Sequence, residues 1–162
     1  MKSFLLEVKW AIIFFLVSLL WMVLEKQLGW HDEFIGKHPV YSGLFGIFAI
    51  AIYVIALIDK KKNHYNGSIT WTQAFLSGAI ISIMITALSP LAQFITFEFI
   101  TPDFFNNSIE YNVSRGRQTK EQASAYFNLK SYIIQSAFFG LSMGVITSAI
   151  VALVIRNKKT VS

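Results

Sequence analysis

Residues 132–155 read YIIQSAFFGLSMGVITSAIVALVI, 24 consecutive positions without a charged side chain. A helix needs about 20 apolar residues to cross a hydrocarbon core of about 30 Å, so this stretch reads as a membrane span and sets the terms for the rest. Three further segments qualify. Residues 10–28 form the first, short unless Phe4 to Leu6 and Leu28 lengthen it while Lys9 and Glu25 reach to the headgroups. Residues 40–58 carry no charge. Residues 69–99 contain Pro90 and end near Glu98. The expected fold is all-α: a polytopic membrane four-helix bundle in one transmembrane domain over 1–162, with a helical outer loop at 101–131.

Composition agrees. Of the 162 residues 54% are apolar and only 14% charged, whereas a soluble domain carries about 25% charged residues. The net charge of +5 comes from 14 Lys and Arg against 9 Asp and Glu. In so apolar a chain this excess points to anchoring beside anionic lipid, and no nucleic-acid partner is expected. The chain has no cysteine, which excludes disulfides, thiolate zinc sites and cysteine nucleophiles. Lys2 precedes the first apolar stretch without a small-residue cleavage pattern, so an uncleaved signal anchor is expected.

With four spans, Lys2, Lys9, Lys60, Lys61, Lys62, Arg156, Lys158 and Lys159 fall on one side. The other side has Lys26, Lys37, Arg115, Arg117, Lys120 and Lys130. Lys60 to Lys62 and Arg156 to Lys159 directly abut span ends, where the positive-inside rule acts most strongly, so both termini are expected in the cytoplasm. Trp10, Trp30, Tyr41, Trp71 and Tyr132 fall near span ends, where an aromatic belt would place them.

The 31 residues of the third segment would make a helix roughly 46 Å long, more than the membrane needs. Pro90 removes a backbone donor and clashes with the preceding turn, so a kink is expected near Thr86 to Pro90, with Thr86 or Ser89 able to occupy the freed carbonyl. In the outer loop, Thr101-Pro102-Asp103 has the order of an N-cap, a first-turn proline and a first-turn acid. A short helix should follow, with Phe105, Ile109 and Val113 beside Phe104 as a stripe able to lie on the membrane surface. Thr119 to Gln122 has capping-box spacing and leads toward the fourth span, allowing one continuous helix from Thr119.

The most specific pattern is two rows of small residues at four-residue spacing. Ala74, Gly78, Ser82, Thr86 and Pro90 form one; Ser136, Gly140, Gly144, Ser148 and Ala152 form the other. Apolar surface gives no drive for association in lipid, so close backbone approach through small side chains must supply it. These rows are expected to pack spans three and four together. Ser42, Gly43 and Gly46 form a shorter set in span two, a candidate face for a partner or lipid.

Chemistry-bearing groups are few. Glu98 reads as the single intramembrane carboxylate, near enough to Thr101-Pro102 to reach the interface; Gln93 and Gln135 lie at similar depth and complete a candidate polar cluster. His31-Asp32-Glu33 and Lys37-His38-Pro39 place two histidines and two carboxylates in one loop, but their spacing follows no ligand pattern. A solvated loop is expected there, with no metal and no cofactor. Paired catalytic carboxylates, nucleophile elbows and phosphate loops are absent.

Gly67, Ile69, Trp71, Ala74, Phe75 and Gly78 at the start of span three, with Ile100, Pro102, Asp103 and Phe104 at its exit and a basic end to the last span, resemble the family called domain of unknown function 4199. The resemblance covers nearly the whole chain. It implies a small four-span inner-membrane protein of Gram-negative bacteria without assigned activity, and suggests an accessory subunit of a membrane glycosyltransferase. The leading expectation is therefore a non-catalytic membrane protein that scaffolds or binds another membrane component, with membrane lipids, a glycosyltransferase or a second copy as partners. An oligomeric transporter of lipid or small apolar solutes, moving about Pro90 and using Glu98, Gln93 and Gln135, is the alternative. An enzyme acting on lipid would have only Glu98, Asp103, His31 and His38 to use.

Overall fold

A computed structural model describes residues 2–157; Lys158 and Lys159, counted above among the basic flanks, lie outside them. Helix α1 spans Lys2–Gln27; a 3-10 turn at Ile35–Lys37 leads into α2, His38–Ser42, and α3 follows at Phe45–Asn63. Helix α4 covers Trp71–Ile95 and ends in a π-helical turn at Thr96–Ile100. Helices α5, Phe104–Ser114, and α6, Lys120–Tyr126, precede α7, Leu129–Ile155. No strand occurs among the described residues. Four helical stretches are long and apolar enough to cross a membrane: Phe4–Gln27, Ile35–Asn63, Trp71–Ile100 and Leu129–Ile155.

The surface is apolar and the interior holds much of the polarity, as lipid solvation demands. Val154 is 79% exposed and Leu20 67%, while Ser82 and Ser148 are fully buried. The chain divides into two compact units. The first comprises, of the described residues, those up to Phe14, Ile47–Ala87 and those from Phe138 onward. The second comprises Phe15–Gly46 and Leu88–Ala137.

In the first unit, stretches of α1, α3, α4 and α7 pack around two apolar clusters, one of Leu57, Ile69, Ala74, Val151, Ala152 and Ile155, the other of Tyr53, Ala56 and Ile81. Gly78 lies against Ser148, whose Cβ would stand 2.6 Å from an added Cβ. Gly144 lies against Ser82 and Tyr53, whose hydroxyls would each stand 2.5 Å away. The Tyr53 hydroxyl pairs with Ser82 Oγ at 2.7 Å, and Ser82 and Ser148 return their hydroxyls to the carbonyls of Gly78 and Gly144. Gly140 has nothing within 4 Å of where a Cβ would sit. Among the described residues Ser136 bonds its own helix, at the carbonyl of Ile133.

The same unit buries two charged side chains, Glu7 and Lys60, the second of which a count of basic flanks leaves at the surface. Lys60 Nζ lies 2.6 Å from Glu7 Oε1, with both side chains 3% exposed. Ser77 Oγ donates to the same oxygen at 2.7 Å. Lys61 donates to the carbonyl of Ile155 at 2.7 Å, satisfying a C-terminal group of α7. Lys9 and Trp10 both donate to Asp59 Oδ2, at 2.5 and 2.7 Å.

In the second unit, α4 runs unbroken through Pro90. The change in its ladder comes later, where Thr101 N donates to the Thr96 carbonyl, a five-residue step that absorbs one extra residue. Neither side chain offered for the carbonyl freed by Pro90 takes it: Thr86 donates to the carbonyl of Ser82, and Ser89 Oγ is buried without a partner. Helix α5 starts at Phe104 with Asp103 at its N-cap and no side-chain cap. Phe104, beside the expected surface stripe, is 1% exposed, while Val113 at the end of that stripe is 38% exposed. Phe105 packs on Phe97 and Tyr132.

The chain from Thr119 is two helices. Helix α6 ends at Tyr126, and Asn128 restarts the ladder by accepting the Ser131 N–H at 2.9 Å. Its N-terminus carries the reciprocal capping box between Thr119 and Gln122. Thr119→Ala should cost α6 about 1 kcal/mol, read as roughly fivefold faster amide exchange over 120–126. An unchanged exchange rate there would show that α6 is held by packing alone.

A buried carboxylate between two histidines

The site begins where α1 stops. Gly29 has a φ of +73°, the left-handed conformation that closes helices at little cost to glycine. Its carbonyl accepts the N–H of Phe34 at 2.7 Å, and Trp30 N returns to the carbonyl of Glu25. This reversal carries His31 back onto the last turn of α1. His31 Nε2 lies 2.8 Å from Glu25 Oε2, with side chains 1% and 0% exposed.

A second histidine arrives from α2. Pro39 sits in the first turn of that helix, where its missing N–H costs nothing, and fixes His38 at the helix start. His38 Nε2 stands 3.3 Å from the same Oε2, its side chain 16% exposed, without a directed hydrogen bond. The other carboxylate oxygen, Oε1, accepts the indole N–H of Trp21 from one turn earlier on α1 and the hydroxyl of Ser42 at 2.7 Å.

Helix α5 closes the site. Phe104 packs its ring 5.2 Å from His31 and 4.9 Å from His38. Asn107 Nδ2 donates to the carbonyl of His31 at 3.0 Å, and Tyr111 covers Gly36 so closely that an added Cβ would meet its Cζ at 2.6 Å. Trp30 stacks on Tyr41 at 4.5 Å. A burial of this kind is tolerable only because the carboxylate has four polar neighbours.

These placements correct the sequence reading at several points. Asp32, Glu33 and Lys37 of the loop expected to be solvated are exposed, but His31 is buried and His38 half-buried against Glu25, beyond the turn at Gly29. Glu25 does not reach the headgroups. Ser42 is not on a free face, since its hydroxyl is spent on Glu25. Gly43 and Gly46, its companions in the candidate face, are exposed, and Gly46 has nothing within 4 Å of an added Cβ. Glu98 is exposed in the π-helical turn and Gln93 half-buried, while Gln135 donates to Ser131 on its own helix. Among the described residues no hydrogen bond joins Gln93, Glu98 and Gln135.

Four apolar spans with inward-turned hydroxyls and charges define an integral membrane protein. A family model described as a protein of unknown function, DUF4199, matches residues 9–157, nearly the whole chain. The chain belongs to that family. No curated protein and no solved structure matches it.

Proposed function

We propose that this chain is a non-catalytic subunit of the bacterial inner membrane, with both termini in the cytoplasm, that binds or scaffolds another integral membrane component such as a lipid-linked glycosyltransferase. The observation that carries this reading is the unequal use of glycines. Gly78 and Gly144 are spent on internal contacts, while Gly46 opens onto empty space between the exposed Gly43 and Ile47, the latter 67% exposed. A small residue facing lipid adds no packing to the chain itself, but it lets a second helix approach closely. Among the described residues no hydrogen bond joins Glu98, Gln93 and Gln135, so these residues add no support to the transporter reading.

The test is native mass spectrometry after gentle extraction from the source membrane, on the wild type and on Gly46→Leu. A second polypeptide retained by the wild type and lost from a folded Gly46→Leu supports the reading. A lone monomer, or a homodimer carrying only bulk phospholipid, overturns it.

A further inference from the structure

The Glu25, His31 and His38 cluster is more than a knot that ties the Gly29 loop to α1. A purely structural network would be expected to satisfy its members, since buried polar atoms are nearly always paired. Here His31 Nδ1 and His38 Nε2 are both buried without a hydrogen-bond partner. Yet one donor atom from each of the three residues lies within 4.8 Å of the others. Oε2 stands 2.8 and 3.3 Å from the two Nε2 atoms. Ligands bound to one ion at about 2.0–2.1 Å sit roughly 3 Å apart, so these separations suit a shared metal.

The surroundings suit it too. Trp21 and Ser42 both hold Oε1, which leaves Oε2 turned to the histidines, and such outer hydrogen bonds are how metal-binding carboxylates are oriented. Two imidazoles with one carboxylate favour zinc or a neighbouring first-row divalent ion over magnesium or calcium, which take oxygen ligands. His38 also lines a cavity of about 320 Å³, with Phe104, Tyr111, Arg117, Tyr126 and Tyr132 among its walls. The cavity gives an ion a route to the one ligand of the three that is not fully buried.

We infer that Glu25, His31 and His38 form a binding site for one first-row divalent metal ion of the zinc class, with three protein ligands and a further coordination position on the His38 side. The inference is independent of the partner-binding reading, since it concerns ligands within one chain.

The full-length protein in detergent or nanodiscs, stripped with a chelator, is titrated with Zn²⁺ against a chromophoric competitor. One ion per chain is expected, with an affinity that falls by at least about tenfold in His38→Gln and is unchanged in His64→Gln, a histidine in the exposed turn after α3. Zn²⁺ should raise the melting temperature of the wild type and not of His38→Gln. Should His38→Gln fail to fold, Co²⁺ added to the wild type decides: intense visible bands of a four- or five-coordinate ion support the site, and only weak octahedral bands overturn it. Equal Zn²⁺ affinity in wild type and a folded His38→Gln overturns it as well.

Discussion

Lys60→Met lowers the free energy of unfolding by about 3–5 kcal/mol, because it strands a buried carboxylate. Glu7 and Lys60 are each 3% exposed and 2.6 Å apart, and Ser77 adds one hydrogen bond to the same Glu7 oxygen. The second Glu7 oxygen has no hydrogen-bond partner among the described residues, so without the ammonium the carboxylate keeps Ser77 as its described donor. Removing both charges is a different matter, since an apolar or neutral pair of similar volume avoids the desolvation that the ion pair must offset. The double variant Glu7→Gln with Lys60→Met is therefore expected to recover most of the loss. Unfolding in mixed micelles, followed by tryptophan fluorescence in a double-mutant cycle, measures both. A single variant within about 0.5 kcal/mol of wild type would mean that water reaches Glu7.

Gly144→Val should be nearly as damaging, by about 3 kcal/mol, at the upper end of what overpacking costs. An added Cβ would lie 2.5 Å from Ser82 Oγ and from the Tyr53 hydroxyl, and 2.9 Å from Ser82 Cβ. The obstruction comes from two different helices, α4 and α3, so neither can yield without breaking the Tyr53 to Ser82 hydrogen bond. Gly140→Ala one turn earlier is the control, with open space around its Cβ, and should leave stability unchanged or slightly raised, since alanine is the better helix former. Equal melting temperatures for Gly144→Val and Gly140→Ala would show that the α7 contact is loose in the membrane.

The two predictions mark how far a reading of residues alone could reach. The rows of small residues were legible because spacing on a helix is a local property, and so was the capping box of α6. Tyr53 was not legible as the third member of the Gly144 contact, since it looks like any aromatic residue in an apolar span. Lys60 was misread for a related reason. In the run Lys60 to Lys62, one lysine pairs with Glu7, one bonds the end of α7 and one is exposed, though all three are chemically alike. One signal was available: Glu7 and Glu25 are 18 residues apart, about five turns of an α-helix, so a first span drawn longer would have set both carboxylates on one face.

Charge content and the lengths of the apolar runs established an all-α membrane chain of four spans, because transfer of side chains into lipid depends on their own chemistry. Which ionisable groups are buried, and against what, came from packing. A carboxylate is stable inside only beside its donors, and for Glu25 those come from Trp21 on its own helix, His31 beyond the Gly29 turn and Ser42 on α2. No stretch of sequence contains that convergence; the chain reversal at Gly29 and the seating of α5 over the histidines create it.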